Sequence, residues 1–216
     1  MIFQRITPDR YNDVIVHLRD SFFFDEPLNK AVNLCTAGTG NEELENYSIA
    51  TLEDGLSIMA INDNEEIAGV ALNGILLRGD IEEALINLSQ LKDERTKKIF
   101  RLLYDQNLKL NLFNRFNVDK IFEIRILSVD AKFRGQGLAK ELWRRSEVMA
   151  TECNFQLMKA DATGLFSQKV STAFGFSPCL ELSYSTYTDK QGDPIFKVDP
   201  PHDNLKIMYK LINQKN

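Results

Sequence analysis

Apolar positions along this chain switch between a two-residue period and a period of three to four, and each switch marks a new element. Phe3–Ile6 reads as a short opening strand. Thr7-Pro8 then offers an N-cap and a proline at the first helical position. Val14, Leu18 and Phe22, with Tyr11 and Ile15 beside them, make a helical stripe to about residue 23. Pro27 disfavours helix at Glu26, so this helix stops within SFFFDEPLN. Asn41 can cap a second helix, Glu42–Glu53. Leu56–Asn62 and Ile67–Leu77 predict a hairpin across a polar turn, and two glycines in its second strand imply a bulge or a close backbone approach. Asp80 and Glu83 have capping-box spacing at the start of a helical region. That region breaks near Asp93 and resumes with Phe100, Leu103, Asn107 and Leu110 on one stripe.

The second half centres on a strand at Ile121–Val129. Strict alternation puts Phe122, Ile124 and Ile126 on one face and Glu123, Arg125, Leu127 and Val129 on the other. The charged pair reads most simply as a salt bridge. A helix from Gly137 buries Leu138, Leu142, Trp143 and Met149 and exposes Lys140, Glu141, Arg144 and Arg145. Phe155–Asp161 is the next strand, and the order strand, helix, strand implies a parallel neighbour. Thr163 can cap a helix at Gly164–Phe174, with Gly175 as its left-handed terminator. β character resumes at Phe176, runs on through Leu182–Thr188 and Ile195–Val198, and ends in DNLKIMYKLI. The pattern is that of an α/β (α+β) chain, a mixed central sheet of about seven strands flanked by helices.

Composition narrows the class. The 216 residues suit a single domain spanning the chain, and 44% apolar content supplies an ample core. A net charge of −5 argues against general nucleic-acid binding and is compatible with a cationic small molecule. Cys35, Cys153 and Cys179 are odd in number and form no CxxC, so a reduced, cytoplasmic setting is expected. No apolar run approaches membrane-spanning length, and MIFQRITPDR has no apolar leader core, so no membrane partner is expected. His17 and His202 lie far apart, and no cluster has metal-ligand spacing, so no metal is expected. A monomer is the simplest assembly.

Three places carry candidate chemistry. Lys132-Phe133-Arg134-Gly135-Gln136-Gly137-Leu138-Ala139 sits between a strand and a helix start. Its glycines allow positive φ, its N–H groups can form an anion nest, and the helix dipole adds positive charge. It lacks the G-K-[ST] of a Walker loop and the full G-x-G-x-x-G of a dinucleotide site. Asp25 and Glu26 follow Phe22, Phe23 and Phe24, and such a neighbourhood can raise a carboxyl pKa toward the range useful for a base. Exposed acids at a helix end are the plainer reading. Ser167 and Ser171, at i and i+4, share one helix face, which also fits ordinary back-bonding.

The loop Arg134-Gly135-Gln136-Gly137-Leu138-Ala139, directly after a strand ending Leu127-Ser128-Val129, resembles the pyrophosphate loop of the GNAT superfamily of N-acetyltransferases. The resemblance extends over the element order of the whole chain and implies acetyl-CoA as cosubstrate, lying between two splayed parallel strands. It implies that the backbone of Leu127, Ser128 and Val129 pairs with the pantetheine arm as an added strand. The N–H groups of Arg134, Gly135, Gln136, Gly137, Leu138 and Ala139 would hold the pyrophosphate, with Lys132 as a further contact. Asp25-Glu26-Pro27-Leu28-Asn29 resembles the D-E-P-L signature of insect arylalkylamine N-acetyltransferases, the dopamine type. That likeness makes Glu26 a general base acting through water and assigns Ser167 and Ser171 to the thioester, one of them as acid. It implies a small-molecule amine partner such as dopamine, serotonin, tryptamine or octopamine. Another amine (a polyamine, histamine or a protein N-terminus) and a non-catalytic acyl-CoA-binding regulator are the alternatives. The histidine pair of the vertebrate enzymes of this reaction class is not matched.

Overall fold

The computed structural model describes residues 1–212. Seven strands form one sheet: β1 (Ile2–Arg5), β2 (Ile58–Ile61), β3 (Ile67–Leu77), β4 (Lys120–Val129), β5 (Leu157–Ala162), β6 (Ser177–Ser183) and β7 (Asn204–Leu211). Their spatial order is β1-β2-β3-β4-β5-β7-β6, and every neighbouring pair is antiparallel except β4–β5. One face packs on α1 (Tyr11–Ser21), α3 (Glu42–Glu53) and α5 (Glu94–Leu110) through Val14, Leu18, Leu52, Phe100, Val70 and Leu72. The other packs on α7 (Leu138–Glu152) through Leu142, Trp143, Phe122, Ile124 and Met158. Leu18, Leu142, Leu72 and Phe122 are fully buried. Side chains of this kind contribute roughly 1.5–3 kcal/mol each relative to exposure.

Local chemistry sets the helix ends. Asn41 accepts the Glu43 and Leu44 N–H groups and starts α3 where the sequence places it. Asp93 caps α5 in the same way, through the Arg95 N–H. Asp80 turns out to be the first residue of α4 (Asp80–Asn87) rather than its cap; Gly79, at φ +100°, takes that place. Thr163 likewise is not the cap of α8 (Leu165–Ala173), because Gly164 precedes the helix in extended conformation. Two short helices, α2 (Pro27–Ala31) and α6 (Leu112–Phe116), escape the pattern because five residues are too few to show a period. Past β6 the chain turns through a 3-10 segment at Tyr184–Thr186, and Ile195–Val198 is not a strand. Only a single bridge, Thr188 to Pro194, survives of the expected β character there.

Strand β4 departs from strict alternation, and the departure matters. The β3–β4 register passes from Leu72↔Ile126 to Asn73↔Ile124, so Arg125 is an extra residue in a bulge. Beyond it the faces exchange: Phe122 and Ile124 join the α7 core, whereas Ile126 joins the α1 core. Leu127 and Val129 then lie with Phe122, opposite to the expectation, since one inserted residue flips everything that follows in a period of two. Gly74 on β3 leaves room for the Arg125 guanidinium, whose central carbon would lie 2.3 Å from a Cβ there. β4 and β5 pair only at Phe122↔Met158 and Glu123↔Lys159. Further along, β4 stays with β3 and β5 with β7, and the two strands diverge.

Candidate active site

The divergence opens a cleft of about 530 Å³. Leu127, Ser128 and Val129 form one wall, and Thr163, Gly164 and Ser167 form the other. On the wall side, Leu127–Val129 pair with β3 and have no strand partner toward β5 among the described residues. Their free backbone groups are what an extended ligand needs in order to dock as a strand. The Ser128 side chain points away, toward α1, where its Oγ lies 3.0 Å from His17 Nε2. Burial lowers the His17 pKa to about 4, so the imidazole is neutral and serves as a fixed strut behind the wall.

The anion loop closes one end of this cleft. Asp130 accepts the Lys132 N–H at 2.8 Å and shapes the turn before it. Gly135 and Gly137 both sit at φ +79°, a region that costs other residues strain. Gly137 is the residue preceding α7, and buried Leu138 pins the helix start to the core. The first N–H groups of α7 therefore face outward with no helical carbonyl to bond, an anion-binding arrangement. Arg134 reaches along the mouth: its guanidinium donates to Val129 O at 3.2 Å and to Asp25 Oδ2 at 2.9 Å. Lys132, Gln136 and Gly137 are exposed on the same loop, and Ala139 lines the cleft.

Glu26 stands where the cleft meets an inner chamber on the α1 face. Pro27 forces it into extended conformation, and it becomes the N-cap of α2, its Oε2 accepting the Asn29 N–H at 2.7 Å. Oε1 is buried with no hydrogen-bond partner among the described residues. Desolvation raises its pKa above the ordinary 4.5, partly offset by the Thr163 hydroxyl and the α2 N–H groups. Glu26, Phe22 and Thr163 border both hollows, and the inner one, about 90 Å³, is walled by Phe22, Tyr47, Phe100, Leu103 and Ile126.

The two serines part company. Ser167 faces the cleft and donates to Gly164 O at 2.9 Å. Ser171 is fully buried behind it and donates to Gln168 O at 2.9 Å. His202 reaches the cleft from the loop after Pro200-Pro201 and accepts the Leu165 N–H at 3.0 Å, holding the start of α8.

No family model matches the chain. Among solved structures, arylalkylamine N-acetyltransferase 2 from Aedes aegypti is 57% identical, with 98% of this chain and 99% of that one covered at a TM-score of 0.96. The chain belongs to the arylalkylamine N-acetyltransferases, of the GNAT superfamily. A mosquito arylalkylamine N-acetyltransferase like 5b (20% identity, TM-score 0.87) and a Drosophila melanogaster polyamine N-acetyltransferase (16%, 0.86) share its fold, each with 98% of this chain and 99% of theirs covered. This arylalkylamine N-acetyltransferase thus has the mixed seven-stranded sheet expected from its sequence, with the loop, Glu26 and Ser167 gathered around one opening. Enzymes of this superfamily use acetyl-CoA. Thr163 reads along the chain only as a helix cap, and the pairing of Asp25 with Arg134 spans 109 residues that no local pattern connects. No helix among the described residues is long and apolar enough to cross a membrane.

Proposed function

We propose that the enzyme moves the acetyl group of acetyl-CoA directly to the primary amine of an arylalkylamine of the dopamine, serotonin, tryptamine or octopamine type. The observation that carries this reading is the unpartnered, buried Glu26 Oε1 at the junction of the cofactor cleft and an aromatic chamber. An ammonium is not nucleophilic, and a carboxylate with a raised pKa can take its proton, through an ordered water, near neutral pH. Acetyl-CoA supplies the activated acyl carbon. The free backbone edge of Leu127, Ser128 and Val129 fits its extended arm, and the N–H groups from Arg134 to Ala139, with Lys132, fit its pyrophosphate. In this reading Ser167, which lines the cleft, protonates the departing thiolate, and Ser171, buried behind it, supports the helix.

A panel of amines with thiol-release detection tests the substrate class, and paired serine variants test the acid. Ser167→Ala is expected to lower kcat about tenfold or more with a small effect on stability. Ser171→Ala should instead cost about 1 kcal/mol of stability, its hydroxyl being bonded inside the helix. Turnover lost on Ser171→Ala but kept on Ser167→Ala would transfer the role.

A further inference from the structure

The inner chamber does not end at its aromatic walls. A second hollow of about 150 Å³ lies beyond it, and the two share Tyr47, Phe100, Leu103, Glu123, Arg125 and Asp161. Where they meet, polar chemistry is packed under the sheet. Lys159, 1% exposed, contacts Glu123 and lies 3.0 Å from Asp161 Oδ1. Arg125 bonds Glu123 at 2.9 Å and approaches Asp54 at 3.7 Å. Asn107 donates to Asp161 Oδ2 at 2.7 Å and to Leu103 O at 2.9 Å.

This cluster has more carboxylates than cations. Glu123, Asp161 and Asp54 face two cations, Arg125 and Lys159, with the Asn107 amide and the Ile75 N–H as neutral donors to Asp161 and Asp54. The Asn107 amide spends its NH₂ on two acceptors, which leaves its Oδ1 without a partner although the residue is 4% exposed and lines the second hollow. Asp161 Oδ1 faces the Lys159 ammonium without a hydrogen bond of good geometry. Burial raises the Asp161 pKa, in keeping with an acid short of donors. Buried acceptors left open at the end of a cavity are suited to a ligand that brings donors. Between Glu26 and this end the lining includes Phe22, Phe100, Leu103 and Ile126, apolar side chains an aromatic ring can pack against.

We propose that Asp161 and Asn107 form a specificity site that reads a hydroxyl group on the substrate's aromatic ring, at the far end of the chamber from Glu26. The inference deepens the reading of the enzyme given above and rests on it. The amine sits by Glu26, the ring lies between Phe22 and Phe100, and a ring hydroxyl donates to Asp161 Oδ1 or Asn107 Oδ1. A site built to bond a hydroxyl discriminates strongly against the same molecule without it, because its own buried groups then stay unpaired.

The test compares kcat/KM for matched pairs on one enzyme preparation: tyramine against phenethylamine, and serotonin against tryptamine. The ratio within a pair is independent of how much of the preparation is folded, so poorly folding variants still report. The wild-type enzyme is expected to favour each hydroxylated partner by at least ~10-fold. Asp161→Asn and Asn107→Leu should each reduce that ratio several-fold or more. A wild-type ratio near one, or a ratio that both variants leave intact, overturns the proposal while the arylalkylamine reading stands. A preference for putrescine or agmatine over tyramine also overturns it, and gives the cluster to a second cation. Absence of turnover with every arylalkylamine is a different result, and sinks the underlying substrate class itself.

Discussion

A carboxyl group becomes a stronger proton acceptor when its surroundings hold its pKa up, and at Glu26 burial raises the pKa while one oxygen has no partner among the described residues. The folded pKa exceeds the ordinary 4.5, so between the two values the folded protein holds a proton that the unfolded chain has released. The stability cost is absent below pH 4.5 and complete above the folded pKa. Glu26→Gln keeps an acceptor for the Asn29 N–H and removes the charge. It should lower turnover about 10²–10⁴-fold while raising the melting temperature at pH 8 by about 2–4 °C. Melts across pH check this: the gain must shrink toward pH 4, and an equal gain at both ends refutes the assignment of the raised pKa. His17 runs the opposite way. Its folded pKa of about 4 lies below the ordinary 6.5, so the unfolded chain binds the extra proton. Stability should be constant above pH 6.5 and fall by about 3 kcal/mol as the pH drops to 4. Urea midpoints of His17→Gln should show a shallower slope over that window, and an unchanged slope would clear His17 of responsibility.

At the scale of elements, the site is made by what two strands fail to do. β4 and β5 part after Glu123 and Lys159, and the bulge at Arg125 turns the rest of β4 so that Ser128 faces α1 while its backbone edge borders the opening. The loop that follows contributes N–H groups through its backbone and one long cation through Arg134. The Arg134–Asp25 pair is half exposed, at 51% and 45%, so it contributes at most about 1 kcal/mol to stability. Arg134→Ala should therefore leave the melting temperature within about 2 °C and raise KM for acetyl-CoA several-fold, more strongly at low ionic strength. An unchanged KM at low salt would remove Arg134 from the phosphate site.

The described residues are held by three apolar clusters and, between the sheet and α5, by the Glu123–Lys159–Asp161–Arg125 cluster. Buried charges of this kind add little net stability when complete and cost a great deal when one partner is removed. Lys159 shows why: burial alone would lower its pKa, yet Asp161 and Glu123 raise it, and Glu123 is held down to about 2 by Lys159 and Arg125. Lys159→Met should destabilise the protein by about 3–5 kcal/mol. Chemical denaturation measures it, and a loss under about 1 kcal/mol would show that the cluster is solvated rather than sealed.

The sequence alone determined the sheet and the anion loop, because periodicity and glycine placement are local properties: α3 begins at Asn41, β3 runs Ile67–Leu77, and Gly135 and Gly137 take positive φ. It singled out Glu26 only through the resemblance of Asp25-Glu26-Pro27-Leu28 to a known signature, since position alone fits an exposed acid at a helix end. Tertiary structure decided the rest. Strict alternation misplaces Ile126, Leu127 and Val129, because the bulge at Arg125 appears only in the register between β3 and β4. The two serines look equivalent at i and i+4, yet only Ser167 reaches the cleft, since the packing of α8 on the sheet buries Ser171. Asp25 and Arg134, or Asn107 and Asp161, meet across 109 and 54 residues. Such pairings depend on how strands are ordered in the sheet, and no period along the chain encodes that order.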